Sequence, residues 1–386
     1  MNDQRTRARR LMATGRFEEA LGVLDARNRR RRIIPACGLD FSSNDYLGLS
    51  DSPILVKAAK AALDRGVSVG SGGSRLLRGN HCEHTALETE AAAFFGTEAA
   101  LFFGGGFQAN QAIFTCLPAA DDLVLYDEFI HASTHEGMRL GRAETRPFRH
   151  NDVTQAEDVL RAWRNSGGTG QIWIAVESIY SMEGDIAPLE GFVTLARSVD
   201  AILVVDEAHA TGVFGTDGRG LMTMHGAGDL SVHTCGKGLG VSGALVCGPR
   251  VMIEILINRA RPFIFATAPS PLNAALVRAS LRALRESPGL LTAARTRIAH
   301  AHKEAANYCG LTGLQSQIIP VVIGDDGETM AQAYQLQEMG FDIRGIRPPT
   351  VPSGTSRLRI SITGHVGASD ISALFEAISA QSGKGE

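Results

Sequence analysis

Between residues 99 and 247 the chain repeats one pattern, and that pattern leaves few folds open. Short, wholly apolar runs at 99–103, 123–126, 172–176, 201–205 and 244–247 alternate with helical stretches at 107–114, 155–163 and 192–198. A strand without a polar face must be covered on both sides, so these runs predict an α/β fold built on a mostly parallel sheet with helices on each face. From about residue 315 the pattern changes. Strands at 318–323, 343–346 and 357–363 and helices at 329–339 and 368–380 read as a smaller α+β unit. Residues 5–28 read as an amphipathic helix, 53–65 and 84–95 as helices, and 270–306 as helical with a break near Pro288-Gly289. A chain of 386 residues is too long for one core. The predicted division is an N-terminal segment over 1–45, a large domain over 46–285 and a C-terminal domain over 286–386.

In open parallel sheets ligands bind outside the carboxyl ends of the strands. His131 follows the run at 123–126, Glu177 and Ser181 follow 172–176, and Asp206 and His209 follow 201–205. These five residues are therefore expected at one site. The run at 99–103 passes through Gly104-Gly-Gly106 into a helix, which presents backbone N–H groups to an anion. Lys237 stands between two glycines in Thr234-Cys-Gly-Lys-Gly-Leu-Gly240. Only five of the 38 basic residues are lysines, so arginine supplies charge nearly everywhere else. Lysine can lose its proton and form a Schiff base, whereas arginine cannot. That stretch alone leaves two readings open, a reactive amine and a solvated loop lysine.

Several chemistries fail on spacing. Val205-Asp-Glu-Ala-His209 resembles the second nucleotide motif of helicase-type ATPases. The matching phosphate loop is missing, because Ser231 stands where its first glycine belongs and Gly238 where Ser or Thr belongs. His131, His135 and Glu136 form no H-E-x-x-H, so no metal is expected. No G-x-S-x-G elbow is present for a Ser–His–Asp hydrolase. A pyridoxal phosphate site accounts for more residues than these. It needs a Schiff-base lysine, a carboxylate on the pyridinium nitrogen, a phosphate cradle and a group to orient the ring. Lys237, Asp206, the amides from Gly106 onward and His131 are the candidates. Taken singly, Asp206 is also a candidate helix N-cap, and His131 a candidate core or surface histidine.

The motifs Phe41-Ser-Ser-Asn-Asp-Tyr-Leu-Gly-Leu49, Gly70-Ser-Gly-Gly-Ser-Arg75, Phe103-Gly-Gly-Gly-Phe-Gln-Ala-Asn110, Val205-Asp-Glu-Ala-His-Ala-Thr-Gly212 and the Lys237 stretch lie in this order. From about residue 38 to 380 the chain resembles the α-oxoamine synthases, a family of fold-type-I pyridoxal phosphate enzymes. The Lys237 stretch and the segment Ile346-Arg-Pro-Pro-Thr-Val-Pro-Ser-Gly-Thr-Ser-Arg-Leu-Arg-Ile360 resemble the branch that joins L-alanine to a pimeloyl thioester, carried on an acyl carrier protein or coenzyme A, with loss of CO2.

The resemblance implies a homodimer with active sites at the subunit interface. It implies Lys237 as Schiff-base lysine and proton shuttle, Asp206 as partner of the ring nitrogen and His209 as donor to the ring oxygen. His131 would stack on the ring, with Ser181 near it and Glu177 supporting the site. Gly106 and Phe107 would bind phosphate through their amides and Thr234 through its side chain, joined by Thr267 of a second copy. Asn44 and Arg359 would hold the amino-acid carboxylate and Arg347 the acyl substrate. One of Arg29 to Arg32 would match a substrate arginine. Arg75 and Arg78 are open between binding carrier phosphates and lying in a surface loop.

A net charge of −3 gives no general attraction to nucleic acid or membrane. No apolar run approaches the ~20 residues of a membrane span. The six cysteines are scattered without a C-x-x-C pair, and the basic N-terminus lacks the apolar core of a secretory signal. A cytoplasmic protein is expected.

Overall fold

The strands of the computed structural model are, in chain order, β1 (Leu39–Asp40), β2 (Ala99–Phe103), β3 (Leu123–Asp127), β4 (Glu144–Phe148), β5 (Ile172–Glu177), β6 (Ile202–Asp206), β7 (Leu230–Thr234), β8 (Ala244–Gly248), β9 (Ile318–Gly324), β10 (Phe341–Asp342), β11 (Arg344–Ile346) and β12 (Ser356–Ser361). Residues 2–224 and 229–381 are described. Residue 1 and residues 382–386, at the outer ends of the first and last predicted ranges, lie outside them.

Seven strands form one sheet in the order β2-β8-β7-β6-β5-β3-β4. β8 runs antiparallel to both its neighbours, and every other pairing is parallel. Each of the predicted apolar runs is a strand of this sheet. Helices cover both faces, as wholly apolar strands require. Gly106–Cys116 and Arg250–Arg259 pack on one side through Ala109, Ile113, Phe114, Ile253 and Leu256. Val153–Asn165 and Leu189–Ser198 pack on the other through Leu160, Trp163, Phe192 and Leu195.

Two strands of the sheet are absent from the sequence reading. β4 is an edge strand with mostly exposed residues, so it has no apolar pattern, and its Pro147 is tolerated at an edge. β7 is buried yet carries Ser231 and His233. The His233 ring is satisfied by Thr211 Oγ1 (2.8 Å) and Ser231 Oγ (2.9 Å) and stacks on Phe95 at 3.6 Å. Paired polar groups let a central strand look like a loop.

The predicted smaller unit is a three-stranded antiparallel sheet, β11-β12-β9. Helices Pro288–Cys309, Asp326–Glu338 and Ala368–Gln381 complete its core. The helical stretch at 270–306 is divided, with Ser287 alone separating Pro271–Glu286 from the helix that begins at Pro288. A residue that precedes proline is disfavoured in the helical region, which places the break. β1 pairs in parallel with β10, and Phe41 and Tyr46 are buried in the C-terminal core. Asn44 therefore travels with that unit, beside Arg359 on β12. The predicted N-terminal helix spans Asn2–Ala26, and in a single chain its Phe17, Leu21, Val23 and Leu24 are exposed. Among the described residues, no helix is long and apolar enough to cross a membrane.

Candidate active site

A cavity of about 350 Å3 opens at the carboxyl ends of β5, β6 and β7, lined by Asn44, Gly106, Phe107, Asn110, His131, Ser133, Glu177, Asp206, His209, Thr234 and Lys237, among others. The turn after β7 delivers Lys237. Lys237 O accepts from Gly240 N (2.9 Å), and Cys235 and Gly243 pair across the base of the loop. Gly240 has φ +66 and packs on Leu49, where a Cβ would lie 2.7 Å from Ser50 N. Neither the backbone angle nor the space admits a side chain there.

The Lys237 amine lies 2.8 Å from His209 Nε2. Burial pulls its pKa down, Asp206 and Glu177 push back, and the result is about 8. His209 is held far below the ordinary histidine value, first by burial and then by the charges of Lys237 and Arg359. A neutral imidazole accepts from Lys237 at Nε2 and carries its hydrogen on Nδ1, 2.6 Å from the Tyr46 oxygen. Tyr46 donates to Asn44 Oδ1 (3.0 Å), which also accepts from Arg359 Nη2 (3.1 Å). A run of hydrogen bonds thus links Lys237 and Arg359 across the two units, with donors from both ends converging on Asn44 Oδ1.

Arg359 is 7% exposed, and its Nε donates to the Ser181 carbonyl oxygen (2.6 Å). Asp206 accepts from Asn110 Nδ2 (2.8 Å) and from Ala208 N (2.9 Å). Asn110 also donates to Ser133 Oγ (3.0 Å). His131 caps the helix Ala132–Leu140 by accepting from Ser133 N, so its Nδ1 is unprotonated. Burial lowers its pKa against the opposing charge of Asp206. Glu177 sits opposite Asp206 in the β5–β6 register. Burial, then the neighbouring Asp206 charge, raises its pKa well above the carboxylate range, and its Oε1 has no partner. Glu207 faces away, accepting from Ser178 Oγ and from the amides of Leu221 and Met222. The Asp-Glu-Ala-His run thus places Asp206 and His209 in the cavity and uses Glu207 to hold loops behind it.

The cavity fits pyridoxal phosphate on features of its own. The helix Gly106–Cys116 begins at Gly105 with no side chain capping its amides, so they face the cavity as an anion site. A Cβ at Gly106 would sit 2.5 Å from Thr234 Cγ2, so only glycine lets the helix start beside Thr234. An amine, a carboxylate with two donors, an imidazole and a buried oxygen without a partner surround the space beyond.

Ser181 lies beside this space rather than in its lining, and lines a second cavity of about 570 Å3 that shares His131 and is walled by Phe129, Met182, Glu183 and Val351. Arg31 joins that cavity to a third, about 710 Å3, lined by Arg30, Arg32, Arg344 and Arg347. The four arginines of the run have different surroundings. Arg29 pairs with Asp326 (2.9 Å) and Arg30 with Asp25 (2.6 Å), while Arg31 reaches Thr350 Oγ1 (3.2 Å) where the two cavities meet. Arg347 donates to the Asn28 carbonyl oxygen in the outer cavity.

Thr267 is exposed and outside all three spaces. Arg75 is bound to Glu88 by two bonds of 2.8 and 2.9 Å and to Asn80, with its side chain 8% exposed, so it braces its own loop. Arg78 is exposed. Asn110, Ser133, Tyr46 and Thr350 escaped the sequence reading as site residues. Asn110 lies four residues after Gly106, the spacing of one helix face, and that is the one signal which pointed to it.

Residues 37–378 match the family model described as aminotransferase class I and II. The 8-amino-7-oxononanoate synthase of Chromobacterium violaceum is 40% identical over 374 residues, covering 92% of this chain and 96% of that protein. A solved serine palmitoyltransferase from S. paucimobilis, with a pyridoxal phosphate–myriocin adduct bound, superposes with a TM-score of 0.85 at 28% identity, covering 96% of this chain and 98% of that one. The solved 8-amino-7-oxononanoate synthase of Francisella tularensis superposes with a TM-score of 0.74 at 27% identity, covering 89% and 98%.

Proposed function

From the premise that the chain belongs to the class I and II aminotransferases and, among them, to the 8-amino-7-oxononanoate synthase family, we propose that it condenses L-alanine with a pimeloyl thioester, releasing CO2 and the carrier's thiol. It is a pyridoxal-phosphate-dependent transferase of biotin biosynthesis. The observation that carries the substrate reading is Lys237 in one cavity with Asp206, His209 and His131, beside a second cavity that shares His131 and is lined by Arg31.

Bound there, pyridoxal phosphate supplies an aldehyde carbon for an amine and a protonated ring that takes up the electron pair released at the substrate α-carbon. In this proposal Lys237 binds the cofactor, then takes the α-proton on Nζ, which a pKa of about 8 suits near neutrality. Asp206 places its charge at the ring nitrogen, and Asn110 and the Ala208 amide hold that carboxylate in place. His209 serves the ring oxygen, His131 covers the ring face, and Glu177 and Ser181 support the site from the β5 side. Gly106, Phe107 and Thr234 hold the phosphate, joined by Thr267 of a second copy in a homodimer. Phe107, Leu77 and Phe265 are exposed in the single chain.

Arg359 and Asn44 hold the alanine carboxylate. Arg359→Lys keeps the charge but loses the planar fork that now spans Ser181 and Asn44. The KM for L-alanine is expected to rise roughly ten- to hundredfold with cofactor binding intact, the cost of a lost charged hydrogen bond. Unchanged alanine kinetics would move the carboxylate site elsewhere. Arg31 and Arg347 meet anionic groups of the acyl substrate or its carrier. Arg31→Ala and Arg347→Ala should each raise the thioester KM about tenfold and leave the alanine KM alone. An equal rise in both would show a structural defect instead.

The deciding experiment is thiol release by the cofactor-loaded protein given L-alanine with pimeloyl-coenzyme A or pimeloyl-acyl carrier protein. Glycine, serine and other acyl thioesters are the comparisons. Release that requires alanine and a pimeloyl group supports the reading. Preference for serine with a long acyl chain would place the chain's activity with the serine palmitoyltransferases it superposes on.

A further inference from the structure

The second cavity has two walls that come from different strands, and one side chain outside the cavity ties them together. One wall follows β3 and carries Phe129. The other follows β5 and carries Ser181, Met182 and Glu183. Behind them, just after β4, His150 donates from Nδ1 to Asp127 Oδ1 (3.0 Å) and from Nε2 to Asp185 Oδ2 (2.8 Å). Asp127 ends β3 and also accepts from Phe129 N (2.9 Å). Asp185 closes the β5 loop, where its carbonyl oxygen accepts from Tyr180 N (3.1 Å). The imidazole packs on the Phe129 ring at 4.7 Å and edge-on against Tyr180 at 4.4 Å. Asn151, in the left-handed region at φ +56, repeats the span, with its N–H on Asp127 (2.8 Å) and its side chain on Asp185 (2.8 Å).

We propose that His150 is a positioning residue, a cationic clamp that holds the two walls of the second cavity at the separation the acyl group needs. Two carboxylates on one imidazole require both ring nitrogens to donate, so the ring carries a charge. Burial disfavours that charge, but the bonds to Asp127 and Asp185 outweigh it and lift the pKa to about 10. The clamp therefore stays closed throughout the neutral range. Its reach extends to the first cavity, since the same loop supplies the Ser181 carbonyl that fixes Arg359. The acyl assignment rests on the function proposed above.

The test uses His150→Gln, which cannot bond both carboxylates as a cation, and Asp185→Asn, which loosens the β5 wall alone. For a site misplaced by a distant change, the pimeloyl thioester KM is expected to rise between about tenfold and a hundredfold. The cofactor absorbance should be unchanged, and the acyl-length preference should broaden toward longer and shorter chains. Unchanged thioester KM and chain-length profile in both variants would overturn the clamp. If His150→Gln does not fold, Asp185→Asn decides alone. If the wild type turns over no pimeloyl thioester, the functional reading fails separately. The clamp is then read from hydrogen exchange at the Tyr180 and Gly184 amides. Faster exchange in Asp185→Asn supports it, and unchanged exchange overturns it.

Discussion

Lys237→Ala should leave a folded protein that shows no lysine-dependent cofactor absorbance and has lost about ten-thousandfold or more of its turnover, the scale expected when one group serves as both nucleophile and base. Lys237→Arg sharpens the result. It restores the positive charge in the same turn but cannot shed a proton, so it should be as inactive as alanine. An arginine variant with appreciable turnover would show that charge, rather than a free amine, is what the cavity needs. In the wild type the amine is half deprotonated near pH 8, because burial lowers its pKa more than Asp206 and Glu177 raise it. The rate of pyridoxal phosphate uptake should therefore climb with pH, with its midpoint near pH 8. A flat profile from pH 6 to 9 would be inconsistent with a titrating lysine there.

Asp206→Asn has two expected effects of opposite sign. It removes the charge beside the ring nitrogen, so turnover should fall about a hundredfold or more, the loss seen when one preorganised electrostatic contact is deleted. The same charge holds the Lys237 pKa up and helps to raise that of Glu177. Without it the amine loses its proton at lower pH, and the uptake profile should shift toward acid. At pH 7 the variant would then take up cofactor faster than the wild type while turning over more slowly. Stopped-flow uptake across pH, beside steady-state thiol release, separates the two. A fall in turnover with an unshifted uptake profile would mean that Asp206 and Lys237 are not electrostatically coupled as their shared cavity implies.

His209 and Tyr46 illustrate what becomes readable only in three dimensions. The sequence places His209 three residues beyond a strand end, and so near the site. It gives no reason to connect it with Tyr46, 163 positions earlier. Their bond forms because β1 pairs with β10 and the Asn44–Tyr46 turn reaches the carboxyl end of β6. His150 and Asp185 are 35 positions apart and come from the ends of different strands. One of those strands, β4, has no apolar pattern to announce it.

By itself, the sequence determined the elements and the chemistry that depend on local pattern. Wholly apolar runs specify covered parallel strands, strand ends specify where ligands bind, and glycines beside Gly106 and Lys237 specify close backbone approach. Five expected site residues, His131, Glu177, Ser181, Asp206 and His209, do converge around the first two cavities. Only the tertiary structure decided what depends on neighbours far apart in the chain. It gave four consecutive arginines different surroundings, with Arg29 and Arg30 tied to Asp326 and Asp25 and Arg31 reaching Thr350. It paired Arg75 with Glu88, and it hid β7 behind paired polar side chains. The physical reason is common to all three. A run of apolar residues carries its burial requirement within itself, whereas the role of a charged or polar side chain is set by the partner that satisfies it, and that partner is chosen by the fold.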